Sequence, residues 1–210
     1  SHPVLAEAAG LLGSPAIRHF ATLGGNIGRA SPASDMAPAL LVLQARVLVE
    51  GRKGKREVDV EHLITGPGTT SLVPGEVMTS FFLPKITPPS GAAYLKLGRR
   101  EGMDCALVGV AAFLSLGDKG TEATEARIAL AAVAPVPLRA KKAEEVLLAG
   151  PLTEERIQEA AQAAAVELRL AVAVALDGDA QLAIAPEARL QSESAAADHD
   201  LRIVADPGPA

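Results

Sequence analysis

The sequence predicts an α+β protein in two parts, and three observations support this prediction. Strand-like and helix-like segments both occur in each part of the 210-residue chain. In the second part a run of strands precedes a run of helices, which favours an antiparallel sheet with helices on one face. Three prolines within residues 84–91 disfavour helix and mark a boundary. We therefore divide the chain into a first domain (residues 1–84), a linker (85–91), a small α+β domain (92–170) and an atypical tail of weak predicted structure (171–210).

In the first part, apolar spacing and end signals predict each element in turn. Pro3 opens an amphipathic helix that stops at Gly13, and residues 17–23 are typical of a strand. Ser34 or Asp35 is suited to cap the next helix. Three strands follow, over residues 46–50, 56–60 and 76–83. The first two flank a Gly-Arg-Lys-Gly turn and are predicted to form a hairpin.

In the second part, three strands precede two helices. The predicted strands cover residues 93–99, 106–116 and 126–133. The predicted helices cover residues 142–148 and 153–168, with Gly150 and Pro151 breaking the chain between them. Cys105 sits in an apolar strand, so we expect it to be a buried and inert thiol.

Composition excludes several classes of function. The net charge of −5 and the pI near 5.4 argue against nucleic acid or an anionic membrane as partner. One cysteine excludes an internal disulfide and a Cys-ligated iron–sulfur cluster, and four separated histidines predict no metal site. Because no apolar run approaches the ~20 residues of a membrane span, and because no leader pattern occurs, we expect a cytoplasmic location.

The most informative segment runs from Thr22 to Asp35. Two adjacent glycines, Gly24 and Gly25, remove side chains where the backbone turns or meets a ligand. Their N–H groups, flanked by Thr22 and Asn26, are suited to converge on a phosphate or pyrophosphate. The carboxylate of Asp35 is a natural acceptor for the hydroxyls of a sugar or sugar alcohol.

Several motifs in order resemble the FAD-binding (medium) subunit of the xanthine dehydrogenase and carbon monoxide dehydrogenase family of molybdenum hydroxylases. The similarity covers roughly residues 3–168. The strings that carry it include five: Ile17-Arg18-x-x-Ala21-Thr22-Leu23-Gly24-Gly25-Asn26, Ser31-Pro32-x-Ser34-Asp35, Gly66-Pro67-Gly68-Thr69, Tyr94-Leu95-Lys96-Leu97-Gly98-Arg99-Arg100 and Pro135-x-Pro137-x-Arg139-Ala140. The resemblance implies the second half of a two-lobed FAD-binding domain, followed by a small α+β domain.

The resemblance also implies roles for individual residues. The segment Thr22, Leu23, Gly24, Gly25 and Asn26 would contact the diphosphate of FAD, and Asp35 would contact the cofactor, cap a helix, or do both. Met78 would make a backbone contact or serve as a core residue. Lys96 would place a cation beside the flavin, where it stabilises the anionic reduced ring, or would be an ordinary exposed strand lysine. Arg99, Arg100 and Asp104 are expected to form a structural salt bridge.

The function implied by the resemblance is electron transfer. The subunit would relay electrons from iron–sulfur clusters through FAD to NAD or another acceptor. A molybdopterin-binding large subunit and an iron–sulfur small subunit would be its partners.

Two other functions stay open. The chain could instead be a truncated, non-catalytic remnant that keeps an assembly surface, or a flavin oxidase acting alone, which the second-domain motifs disfavour. Because the similarity begins after the family's upstream glycine-rich phosphate segment, we expect this chain alone to bind FAD weakly.

Overall fold

Three antiparallel sheets and seven helices make up the part of the chain that the structure describes. The structure is a computed structural model, and it describes residues 2–100, 102–117 and 120–177. The helices are α1 (Pro3–Gly10), α2 (Pro15–Phe20), α3 (Leu23–Gly28), α4 (Met36–Val42), α5 (Val60–Leu63), α6 (Lys141–Leu148) and α7 (Glu154–Asp177). The strands are β1 (Arg46–Gly51), β2 (Gly54–Asp59), β3 (Ile64–Gly66), β4 (Thr69–Thr70), β5 (Val77–Phe82), β6 (Ser90–Leu97), β7 (Val108–Leu116), β8 (Ala123–Ala131) and β9 (Leu138–Arg139).

The strand order confirms the predicted α+β class. The first part holds a three-stranded sheet of order β2-β1-β5 and the small pair β3-β4, and the second part holds a four-stranded sheet of order β6-β7-β8-β9. The predicted hairpin is the β1–β2 pair, with Gly51 opposite Gly54 at its turn. In the described chain, helices α6 and α7 pack together, and α6 contacts β8.

The predicted strand over residues 17–23 is wrong, because two helix caps determine the local structure. The Ser14 hydroxyl accepts a hydrogen bond from the amide of Ile17, and Pro15 occupies the first helical position of α2. The Thr22 hydroxyl then accepts from the amide of Gly25 at 2.9 Å and begins α3. Gly24 and Gly25 therefore lie in the first turn of a helix, and neither has a positive φ.

The central strand β7 of the four-stranded sheet is covered on both faces. Alternate side chains of a strand point to opposite faces. Ala111 and Phe113 of β7 accordingly join the cluster built on α1 and α4. Val110 and Leu114 pack on the other side, against the cluster of α6 and α7. The first hydrophobic cluster therefore contains residues from both sides of the proline-rich segment 84–91.

A buried arginine holds the end of α4 against this sheet. Arg127 of β8 donates from Nε to the carbonyl of Val42 in the last turn of α4, and its guanidinium stacks over the ring of Phe113 at 3.9 Å. Glu125 supplies the ion pair. Burial lowers the pKa of Arg127 to about 10.

Three further observations bear on the sequence expectations. Cys105 is exposed, so the expectation of a buried thiol is wrong; it lies in the loop before β7, where neither sheet face covers it.

Helix α7 extends to Asp177, seven residues into the segment predicted as a tail, and residues 178–210 lie outside the described residues. Within residues 2–100, 102–117 and 120–177, no helix is long and apolar enough to cross a membrane.

Candidate functional site

A buried ion pair joins the two parts of the chain. The Nζ of Lys96, on β6, lies 3.1 Å from Oδ2 of Asp35, and the two side chains are only 9% and 8% exposed. Lys96 also donates to the carbonyl of Leu11 at 3.2 Å, just beyond α1. Lys96 is therefore not an ordinary exposed strand lysine, because its charge is buried and balanced by a carboxylate.

The position of Asp35 follows from the start of α4. Ser34, which is 3% exposed, accepts the amide of Ala37 at 3.2 Å and is the residue whose side chain caps the helix. Asp35 makes no capping hydrogen bond with its side chain. Its carboxylate is consequently directed to the sheet, where it meets Lys96.

The same serine connects Asp35 to the glycine-containing segment. The hydroxyl of Ser34 donates to Oδ1 of Asn26 at 2.5 Å. Because Asn26 lies in α3, this bond ties α3 to the start of α4. The structure thus brings the Thr22–Asn26 segment, Asp35 and Lys96 into one connected cluster.

Met78 lies at the far end of α3 from Thr22. It pairs with Val49 of β1, and it is partly buried against the hydrophobic cluster. A side chain at Gly28 would meet the Cε of Met78 at 3.0 Å. Both interpretations of Met78 therefore stay open, since it borders the cluster while packing on the core.

Sequence reasoning missed Tyr94 as a site residue. Its hydroxyl donates to Oδ1 of Asp35 at 2.8 Å, and its backbone amide donates to Glu7 of α1 at 2.9 Å. Burial, together with the charge of Asp35, raises the pKa of Tyr94. The sequence carried a signal for this role: side chains two positions apart on a strand share a face, so Tyr94 lies on the same face of β6 as Lys96.

The expected salt bridge among Arg99, Arg100 and Asp104 does not form in the described residues. Asp104 instead accepts the backbone amide of Arg99 at 2.7 Å, and Arg100 donates to the carbonyl of Met103. The hydrogen bond from Arg99, followed by the charge of Arg100, lowers the pKa of Asp104. These residues form a self-contained loop, because the backbone offers Asp104 a nearer partner than either guanidinium.

Two family models match the chain in sequence order. The FAD binding domain in molybdopterin dehydrogenase matches residues 1–86. The CO dehydrogenase flavoprotein C-terminal domain matches residues 92–181. Together they cover the cluster, since Asp35 lies in the first match and Lys96 in the second.

Individual relatives agree with these matches. The carbon monoxide dehydrogenase medium chain of Hydrogenophaga pseudoflava is 36% identical over 162 residues, which are 77% of this chain and 55% of that protein. A putative xanthine dehydrogenase FAD-binding subunit of Escherichia coli K12 is 34% identical over 157 residues, 74% of this chain and 53% of that protein. The chain thus spans little more than half the length of these relatives.

Solved structures show the same similarity. A carbon monoxide dehydrogenase from Hydrogenophaga pseudoflava superposes with a TM-score of 0.73 and 34% identity, covering 80% of this chain and 63% of that chain. The quinoline 2-oxidoreductase of Pseudomonas putida 86 gives a TM-score of 0.70 and 28% identity, covering 82% of this chain and 64% of that chain.

Proposed function

Because the chain belongs to the family of FAD-binding subunits of xanthine and carbon monoxide dehydrogenases, we propose that it serves a molybdopterin-dependent hydroxylase as its flavin module. In this role it receives electrons from iron–sulfur clusters and passes them through FAD to NAD or another acceptor. The molybdopterin-binding large subunit and the iron–sulfur small subunit are its proposed partners. Residues 1–84 and 92–170 are the proposed domains, with residues 85–91 as their linker.

The observation that supports this function most directly is the buried cluster of Asp35 and Lys96. It joins the segment matched as an FAD-binding domain to the segment matched as a flavoprotein C-terminal domain. A charged pair with side chains 8–9% exposed is expensive to bury. A role at a cofactor site accounts for its presence in the interior.

The residues present fit a diphosphate-containing cofactor. Helix α3 leaves its first-turn amides at Leu23 and Gly24 without an intrahelical acceptor, and they have none elsewhere in the described chain. A Cβ at Gly24 would meet nothing within 4 Å, so the space beside Gly24 is open. Together with the Asn26 carboxamide, they supply neutral hydrogen-bond donors suited to phosphate oxygens.

FAD, when bound, would supply the electron chemistry. The chain's own contribution is binding and orientation. The Thr22–Asn26 segment would hold the diphosphate, Asp35 would accept from a cofactor hydroxyl, and Lys96 would keep a cation near the flavin. Met78 would add a contact from β5.

A flavin-binding experiment tests the proposal. We expect the purified chain, titrated with an excess of FAD, to bind it weakly and to develop a bound-flavin absorption spectrum. Gly25→Val should abolish it, because a β-branched side chain there would block close approach of a ligand to the backbone, and its Cβ would crowd the Thr22 hydroxyl at 3.0 Å. Gly91→Val is the matched control, since a Cβ there meets nothing within 4 Å, and β-branched residues suit its strand.

The outcomes separate the candidate functions. Flavin bound by the wild type and the Gly91 variant but not by the Gly25 variant supports the proposal. A folded wild-type chain that binds no flavin even at high FAD concentration would contradict it. That result would favour the alternative of a non-catalytic remnant that keeps only an assembly surface.

A further inference from the structure

The carboxylate of Asp35 is held at both of its oxygens by one strand. Tyr94 donates to Oδ1 at 2.8 Å, and Lys96 donates to Oδ2 at 3.1 Å. These two residues are separated by one position on β6, so both point to the same face. A carboxylate anchored at two oxygens cannot rotate without breaking one of the bonds. Tyr94 thereby determines which oxygen remains for Lys96.

A glycine on the neighbouring strand makes room for this arrangement. Gly109 of β7 lies opposite Lys96 in the register. A Cβ at Gly109 would lie 2.7 Å from the Tyr94 hydroxyl oxygen and 3.5 Å from the Cβ of Ala131. Its φ is not positive, so conformational freedom does not explain this glycine. The reason is steric, because any side chain here would displace the hydroxyl from Asp35.

We propose that Tyr94 and Gly109 are positioning residues of the proposed flavin site, which act by holding the Asp35 carboxylate in register with Lys96. The inference rests on the proposed function in one respect, namely that the ligand of this site is FAD. Neither residue needs to touch the cofactor. Tyr94 supplies the second anchor of the carboxylate, and Gly109 supplies the space in which the tyrosine ring lies.

The first measurement needs no cofactor. The rate at which an acylating reagent modifies Lys96 is followed by peptide mass spectrometry in the folded chain. Tyr94→Phe removes one oxygen, and Gly109→Ala keeps that oxygen but displaces it. Both should raise the modification rate at Lys96 about tenfold, the effect of losing one hydrogen bond to a charged group. Gly91→Ala, with open space at its Cβ, should leave the rate unchanged.

A spectroscopic measurement reports directly on the hydroxyl of Tyr94. Tyr94 is the single tyrosine and the chain has no tryptophan, so near-ultraviolet absorption reports on this ring with little interference. Asp35→Asn and Gly109→Ala should give similar difference spectra against the wild type, because both alter the environment of the hydroxyl. An unchanged spectrum in both variants would overturn the proposal, even if one of them were poorly folded.

The second measurement is the affinity for FAD. Tyr94→Phe and Gly109→Ala should each weaken FAD binding about tenfold, while Gly91→Ala binds as the wild type does. Faster modification of Lys96 with unchanged FAD affinity would overturn the positioning role at the flavin site but not the proposed function. A wild-type chain that binds no FAD, with the Lys96 rates as expected, would overturn the proposed function and leave Tyr94 and Gly109 as anchors of the ion pair. Equal Lys96 rates in all variants would overturn the inference itself.

Discussion

The buried pair of Asp35 and Lys96 predicts a strongly non-additive response to mutation. At a separation of 3.1 Å and an effective dielectric constant of about 20, the attraction is about 5 kcal/mol. Desolvation of the two ions costs several kcal/mol each and offsets most of this gain. The intact pair therefore contributes little net stability. A lone partner keeps its desolvation cost and loses the attraction.

The single and double variants should differ sharply for this reason. Lys96→Met or Asp35→Asn alone should lower the free energy of unfolding by about 3–5 kcal/mol. For a chain of this size that corresponds to a decrease in Tm of about 6–20 °C. The double variant should lie within about 1 kcal/mol of the wild type, because it buries neither charge.

Urea unfolding followed by circular dichroism measures the free energy of unfolding of the wild type, the two single variants and the double variant, which together form a double-mutant cycle. The exposed pair of Arg46 and Glu57, whose side chains are 54% and 46% exposed, is the control. Arg46→Met should cost no more than about 1 kcal/mol and less still in about 1 M salt, whereas the cost of Lys96→Met should persist in salt. The reasoning is refuted if either single variant at the buried pair costs less than about 1 kcal/mol, or if the two costs simply add.

Three further predictions concern other parts of the fold. Hydrogen bonds from Arg56 and from the amide of Val73 lower the pKa of Glu76 from 4.5 to about 2. The stability that these bonds contribute is therefore present above pH 4.5 and is lost as the pH falls towards 2. Glu76→Gln should make the free energy of unfolding less dependent on pH in that window, which unfolding curves recorded at several acidic pH values measure. Cys105 should react fully with a thiol reagent in the native chain, and reaction only after denaturation would contradict its exposure. Arg127→Met should cost about 1–3 kcal/mol in chemical denaturation, because it leaves the Val42 carbonyl without its side-chain donor; a neutral result would show that this contact does not hold α4.

Much of the strand pattern could be predicted from local sequence. The β1–β2 hairpin follows from its Gly-Arg-Lys-Gly turn, and β5 follows from an uncharged run that stops at Pro84. The alternation within β7 is visible because one face carries Ala111 and Phe113 and the other carries Val110 and Leu114. In each case the signal lies within a few residues, and it agrees with the final packing.

The error at residues 17–23 shows where local signals compete. Ile17 and Phe20 favour a strand by residue type, but Ser14, Pro15 and Thr22 provide caps that begin two short helices. Capping hydrogen bonds satisfy backbone donors directly, whereas strand propensity needs a partner strand to act on. No strand pairs with this segment in the described chain, so the caps determine its structure.

The sequence by itself determined the family, the order of the motifs and the residue types of the candidate site. It could not determine that Lys96 is buried, that Tyr94 anchors Asp35, or that Gly109 is required by the tyrosine ring. Asp35 and Lys96 are 61 positions apart along the chain, and they meet only because α4 packs on the sheet that contains β6. Burial and pairing depend on which surfaces the tertiary fold brings together, and desolvation then decides whether each charge needs a partner.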